Sequence, residues 1–460
     1  MTDQAIIRSI REGEHGTDYR DEIRTELLQN PRTIVILDDD PTGTQTVHDV
    51  PVITQWSEEV IEREILTSPV FFILTNSRSL QAEDADALGK LIGRRLKKAS
   101  AKHNKKLLVI SRSDSTLRGH YPNEVSALAE GLGWEQAKEL LIPAFFEGGR
   151  YTFNDIHYVK EGEEFIPAGE TPFARDNTFG YDSSDLKQWV EEKTQGVIKA
   201  TAVHSLNLDL IRNHPIAAVS DILNGNNRHF IVNATTYKDL CAIALASLRS
   251  KGPFIFRTAA SFINAISNIE LRPLLQKEEL LRDDESNGGL VIIGSYVPKT
   301  TAQLACLKKR SEAVFIEFDV AKMIKSTSVE KELTEISSKI DSQIVQKKTV
   351  VLYTARDVIK GDTKEESLEI VNQVSQNLIA IVKKIKNRPK YILAKGGITS
   401  SDIAVKALKV TGANIIGQAI NGVPVWRLGI NAKFPELPYI VFPGNVGESD
   451  ALYNVIQKLS

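Results

Sequence analysis

Thr33-Ile34-Val35-Ile36-Leu37-Asp38-Asp39-Asp40-Pro41-Thr42-Gly43-Thr44-Gln45 is an uninterrupted apolar run that breaks into three consecutive carboxylates and a turn. A short apolar run without alternation suits a strand covered on both faces, and such strands belong to parallel sheets. Open α/β sheets bind ligands beyond the carboxyl ends of their strands. Three adjacent carboxylates repel one another unless a cation, hydrogen-bond donors or protonation offset them. A second loop supplies cations and donors: Ser111-Arg112-Ser113-Asp114-Ser115-Thr116-Leu117-Arg118-Gly119-His120 follows the apolar run at 107–110. The two loops read as a pocket for a small, anionic, hydroxyl-rich molecule.

Working outward, further apolar runs lie at 70–74, 140–143, 229–232 and 254–256, with an amphipathic stretch at 82–99. Strand–helix alternation of this kind implies a parallel sheet with right-handed crossovers. Residues 1–30 are charged and weakly helical and read as an N-terminal helical extension. Residues 146–195 are less regular and rich in aromatics and acids, and read as an insertion or cover. The charged, then glycine-rich stretch at 276–289 reads as a linker. A second alternating unit follows, with strands expected at 290–293, 313–317, 349–353, 391–395 and 439–442. The expected fold class is therefore α/β. It comprises two α/β domains, 31–275 and 290–460, each with a largely parallel sheet flanked by helices, and an active site in the cleft between them.

The 460 residues exceed one ordinary core, and 42% hydrophobic with 25% charged residues is a globular composition. A net charge of −2 argues against broad nucleic-acid binding, which needs a basic surface. Cys241 and Cys306 stand far apart and form no metal-ligand spacing, so they read as reduced thiols. The first residues carry no signal pattern, and no uncharged apolar run approaches the ~18 residues of a membrane span. A cytoplasmic protein without membrane or nucleic-acid partners is expected.

In the second unit three expected strands run into small-residue loops that open helices: Gly294-Ser295, then Gly396-Gly397-Ile398-Thr399, then Gly444-Asn445-Val446-Gly447. Helix starts present free N–H groups, glycine permits close approach, and hydroxyls add donors, a combination suited to phosphates. None has the Walker spacing or a full dinucleotide fingerprint. In the first unit Arg78, Arg112 and Arg118 have the planar fork that grips a carboxylate. Each could equally cap a helix or pair with an acid. Asp39 or Asp40 could accept a proton from a substrate hydroxyl, while an Asp beside Pro41-Thr42-Gly43 could instead cap the turn. Three acids exceed one cap, so at least one is expected to contact a ligand or Mg²⁺. His48, His120 and His157 are not spaced as a metal set, and no Gly-x-Ser-x-Gly elbow is present.

These loops resemble the four-carbon acid sugar kinase family, from about residue 31 onward. The resemblance rests on Asp39-Asp40-Pro41-Thr42-Gly43, the intact Asp114-Ser115-Thr116-Leu117-Arg118-Gly119, Gly294-Ser295, Gly396-Gly397-Ile398-Thr399 and Gly444-Asn445-Val446-Gly447. Supporting stretches are Glu170-Thr171-Pro172-Phe173-Ala174-Arg175-Asp176 and Gly422-Val423-Pro424-Val425-Trp426. Departures fall on the substrate side: Arg112 stands where a Lys is common, Asp38 is an extra acid, and no acid follows Gly43 closely.

The resemblance implies an N-terminal acid-sugar-binding domain and a C-terminal nucleotide-binding domain, with ATP and Mg²⁺ as cofactors. Asp39 or Asp40 would orient or deprotonate the hydroxyl. Thr42, Arg78, Arg112, Asp114, Ser115 and Arg118 would bind the sugar acid. Ser295, Gly396, Gly397, Thr399, Gly444 and Asn445 would bind the nucleotide. The metal ligands are not assigned, and a homodimer is carried as the open assembly. Two rivals stand beside this. A haloacid dehalogenase-type phosphatase would use Asp38-x-Asp40-x-Thr42 and Thr75, with only Asp283-Asp284 or Gly361-Asp362 left for its final acidic motif. A sugar-acid and nucleotide sensor would need no base.

Overall fold

The computed structural model describes residues 2–281, 286–325, 328–355 and 364–459. The chain forms two compact units, Met1–Leu271 and Arg272–Ser460. The alternative acidic motif at Asp283-Asp284 and Gly361-Asp362 lies outside the described residues.

The first unit's strands are β1 (Thr33–Asp38), β2 (Val50–Ile53), β3 (Val70–Leu74), β4 (Leu107–Arg112), β5 (Lys138–Ile142), β6 (Arg150–Phe153), β7 (Ile156–Glu161), β8 (Glu164–Pro167), β9 (Val203–Leu206), β10 (His229–Val232) and β11 (Phe254–Thr258). Eight of them run parallel in the order β2-β3-β1-β4-β11-β5-β10-β9. Every residue of β1 is buried, as strands covered on both faces should be. Val35, Phe71, Val109 and Ile255 from neighbouring strands share one core with Ile92, Leu96 and Trp189 from the helices. Strand order reverses at β1, which has β3 on one side and β4 on the other. The loops leaving these three strands therefore splay around one crevice, the position that open α/β sheets use for ligands.

The stretch expected to be irregular cover contains a small antiparallel sheet, β6-β7-β8. Asn154 and Asp155 both have positive φ at its first turn, the conformation a tight hairpin demands. The N-terminal segment forms two helices, Thr2–Glu14 and Arg20–Gln29. Ile6 of the first is fully buried against Tyr158 and Phe165 of the small sheet. Ser9 reaches Thr235 at 3.3 Å, so this helix is part of the unit.

The second unit holds β12 (Leu290–Ile293), β13 (Val314–Phe318), β14 (Val350–Thr354), β15 (Ile392–Lys395), β16 (Gly412–Ile420), β17 (Val423–Leu428) and β18 (Pro438–Phe442), in the order β13-β14-β12-β15-β18-β17-β16. Pairing is parallel from β13 to β18 and antiparallel across β18-β17-β16. Part of the stretch expected as a linker is built into this unit. Lys277–Leu280 is a helical turn, and Leu275, Leu280 and Leu281 lie in the unit's apolar core. Order reverses again at β12, between β14 and β15, which places the loops after β12 and β15 side by side.

Candidate functional site

In the first unit the loops after β1, β3 and β4 bring Asp38, Asp39, Asp40, Arg78, Arg112, Asp114 and Arg118 into one ionic cluster. Asp39 is buried and fully engaged. Arg78 donates to it through Nε at 3.0 Å and Nη2 at 2.6 Å, and Ser113 Oγ donates at 2.8 Å. Asp40 is the most accessible of the three consecutive acids, its side chain 18% exposed. Its Oδ1 accepts from Thr42 N at 2.9 Å and Thr42 Oγ1 at 2.6 Å, so it does cap the turn. Among the described residues its Oδ2 has only Arg78 Nη1, at 3.7 Å.

Asp38 is enclosed. Arg112 Nη1 lies 3.2 Å from its Oδ1, and its Oδ2 has no hydrogen-bond partner among the described residues. The carboxylate presses on the loop so closely that a Cβ on Gly43 would stand 2.0 Å from Asp38 Oδ1, which only glycine avoids. Burial pushes the Asp38 carboxyl from 3.8 up to about 7, against the pull of Arg112. The folded protein thus keeps a proton that the unfolded chain releases near pH 4. That stabilisation is complete below about pH 4 and is lost as pH rises towards 7. Asp38→Asn carries no titrating proton there, so its Tm is expected to vary less than wild type between about pH 4 and 7. An unchanged slope in the variant would exclude Asp38 as the source.

Asp114 is held well below the usual carboxylate range, because Arg118 and Arg78 outweigh its burial. Arg118 donates to it through Nε at 2.9 Å and Nη2 at 3.3 Å, and Thr116 N–H at 3.2 Å. Arg118 also approaches Asp176 Oδ2 at 3.5 Å and lies over the Phe173 ring at 5.2 Å. Ser115 is buried, and its carbonyl accepts from His157 Nε2 at 2.8 Å. Burial drives the His157 ring pKa down to about 4, so at neutral pH it is an uncharged strut between the loop and Thr152. Leu117 sits at φ +68°, a conformation costly for a branched residue, and is held there by full burial in the core.

The arginines picked out in the sequence are thus together, but each faces an acid of this chain. Arg112 is 4% exposed and closed in, whereas Arg78 and Arg118 keep 18% and 22% of their side chains accessible. Two further arginines were not legible. Arg257 in β11 is fully buried behind the loop and donates to Ser113 Oγ and the Arg118 carbonyl, both at 3.2 Å. A cation inside an otherwise apolar strand run was its signal. Arg150 opens β6 and lies over Phe173 at 5.6 Å.

In the second unit the three loops converge. A Cβ on Gly294 would meet Thr399 Oγ1 at 2.3 Å, one on Gly396 would meet Ser295 Cβ at 3.0 Å, and one on Gly444 would meet Ser295 Oγ at 3.1 Å. Gln303 is fully buried, and its amide donates to the carbonyls of Val446, Gly447 and Glu448, which fixes the last loop. Thr399 Oγ1 and the exposed Asn445 amide have no hydrogen-bond partner among the described residues. Lys395 lies beneath, fully buried, with Nζ donating to the Pro443 carbonyl at 3.0 Å. Burial, with Lys299 nearby, lowers its pKa to about 7. Among the described residues no three His, Cys, Asp or Glu side chains are placed to hold a metal ion, and no helix is long and apolar enough to cross a membrane.

A model of a sugar-binding N-terminal domain matches residues 34–266, and a model of a nucleotide-binding C-terminal domain matches 290–452. This chain belongs to the four-carbon acid sugar kinase family. The sugar-binding model spans the unit with the ionic cluster, and the nucleotide-binding model the unit with the converging glycine loops. A D-erythronate kinase from Heliobacterium modesticaldum is 25% identical over 416 residues, covering 85% of this chain and 87% of that protein. Two crystal structures share the fold. One, from Salmonella typhimurium LT2 and solved under the name of a tRNA synthase, has a TM-score of 0.68 at 16% identity, covering 93% of this chain and 99% of the other. The other, from Haemophilus influenzae, has a TM-score of 0.60 at 17% identity, covering 93% and 100%.

Proposed function

We propose that the protein is an ATP-dependent kinase that phosphorylates a hydroxyl of a four-carbon sugar acid. The observation that carries this reading is the convergence of Ser295, Gly396–Thr399 and Gly444–Asn445 beside neighbouring parallel strand ends, in a chain of this family. Backbone N–H groups at 397–399, the Thr399 hydroxyl and the Asn445 amide offer uncommitted donors to a triphosphate. Lys395, near neutral in pKa, gains a proton when an anion settles above it. Mg²⁺ bound together with ATP would supply charge neutralisation during phosphoryl transfer.

The first unit takes the acceptor and the second the nucleotide. Of the two candidate bases, Asp40 is favoured, because Asp39 spends both oxygens on Arg78 and Ser113. Asp40 Oδ2 accepts the acceptor hydroxyl's proton as its oxygen attacks the γ-phosphorus and the bond to the ADP oxygen breaks. Asp39 fixes Arg78, and Asp114 fixes Arg118 and Thr116, so the partly exposed guanidiniums meet the substrate already oriented. The phosphatase reading loses support because its nucleophile would be Asp38, which is enclosed and pressed against Gly43.

The test is ADP release over D-erythronate, threonate, 3-oxo-tetronates and longer sugar acids. ATP-dependent turnover of at least one four-carbon acid, well above the rate with the corresponding polyol, is expected. Release of phosphate from sugar phosphates without nucleotide, and none from ATP, would refute the kinase reading.

A further inference from the structure

Besides Arg257, which is committed to Glu124, four guanidinium groups border the ionic cluster of the first unit, and one has no ion-pair partner among the described residues. Arg78 is committed to Asp39, Arg112 to Asp38 and Arg118 to Asp114. Among the described residues Arg150 makes no side-chain hydrogen bond or ion pair, and its Nε is enclosed without a partner there. It is partly buried at the first position of β6, which antiparallel pairing to Val159 holds rigid. Its guanidinium lies 5.6 Å over the ring of Phe173, and Arg118 lies 5.2 Å over the same ring. Two like charges thus share one aromatic wall, with the Asp114 carboxylate close enough to act on both.

A desolvated cation without a counter-ion is costly, and folded proteins seldom keep one without use. Burial pulls the Arg150 guanidinium below its ordinary pKa, with Asp114 offsetting part of this and Arg118 opposing it. An arginine stays charged at any physiological pH, so the missing anion has to come from outside the chain. The planar fork matches a carboxylate with two parallel N–H···O bonds.

We infer that Arg150 receives the carboxylate of the substrate, with Arg118 and Phe173 forming the wall beside it. This rests on the sugar-acid reading above and deepens it. Arg78 and Arg118 meet the substrate already paired with the pocket's own acids, and the uncommitted Arg150 recognises the acid group of the ligand. The class of ligand is a short carboxylate bearing hydroxyls. Its uncharged polyol counterpart forgoes the Arg150 contact.

The experiment compares wild type with Arg150→Met and Arg150→Lys, using D-erythronate, threonate and the carboxylate-free erythritol. Arg150→Met is expected to raise KM for the preferred acid about 10- to 100-fold, the loss of charge-assisted hydrogen bonds. KM for ATP stays within about twofold, and the weak use of erythritol is unchanged. Arg150→Lys recovers part of the loss. Unliganded Arg150→Met has a Tm equal to or above wild type, because removing an unpaired buried charge relieves a cost; an arginine with a merely structural role would lower it. An unchanged KM for the acid, or an equal loss with erythritol, overturns the assignment. If Arg150→Met does not fold, Arg150→Lys decides: a raised KM in the folded variant supports the assignment and a wild-type KM overturns it. If wild type binds erythronate or threonate without turnover, the kinase reading fails alone. Calorimetric titration of the same acid into Arg150→Met then supports Arg150 by weaker binding and overturns it by equal binding. No binding of either acid to wild type removes both readings.

Discussion

Asp40→Asn is expected to lower kcat for the sugar acid by about 10²- to 10⁴-fold, the range lost with a general base. KM for both substrates should change little. The substitution is clean because Asn retains Oδ1, which caps the turn by accepting from Thr42 N and Oγ1. Only the charge and basicity of Oδ2 disappear. Asp39→Asn should behave differently. It weakens the two-point grip on Arg78 and the bond from Ser113, so the damage falls on orientation. A raised KM for the sugar acid and a loss of stability are expected, with a smaller fall in kcat. Steady-state kinetics of the two variants side by side make the check. A severe kcat defect in Asp39→Asn with near-normal turnover in Asp40→Asn would transfer the base to Asp39.

What could be read before any coordinates follows from how each signal is encoded. Core strands such as β1, β3, β10 and β12 are legible because burial on both faces leaves a continuous apolar run. Strand β2 escaped because it is four residues long with Pro51 inside it. The β16-β17 hairpin escaped although Asn421-Gly422, with Gly422 at φ +76°, is a strong two-residue turn signal. The residues of the candidate site were legible as chemistry at strand ends, since those positions depend on local sequence. Their partners were not. Which aspartate each arginine takes depends on the order β3-β1-β4-β11, which sets side by side loops far apart in sequence. That order pairs the three arginines expected to bind the sugar acid with acids of the chain itself, as Arg78–Asp39, Arg112–Asp38 and Arg118–Asp114. It also separates Asp39, fully engaged, from Asp40, half free. No periodicity or spacing carries that distinction.

Arg257→Met is expected to cost about 3–5 kcal/mol of folding stability, the usual result of stripping one partner from a buried ion pair. Arg257 is 0% exposed, lies 5.7 and 5.3 Å from the ring centres of Tyr121 and Trp189, which pack on one another, and pairs with Glu124 at 3.2 Å. Burial already raises the Glu124 carboxyl, and Arg257 is the main group holding it down. Without Arg257 that pKa rises further. A carboxyl whose folded pKa exceeds its unfolded value stabilises only while protonated, and that stability is lost as pH climbs from the unfolded value through the folded one. The deficit of Arg257→Met should therefore be smallest near pH 4 and grow towards neutrality. Glu124→Gln added to Arg257→Met removes the stranded charge, so the double variant should regain much of the stability at pH 7. It should not regain affinity for the sugar acid, because Ser113 Oγ and the Arg118 carbonyl still lack the donor that held them. Denaturation across pH, with KM on single and double variants, separates the two effects. Full recovery of KM in the double variant would mean that Arg257 supports the fold and has no part in orienting the loop that carries Arg118.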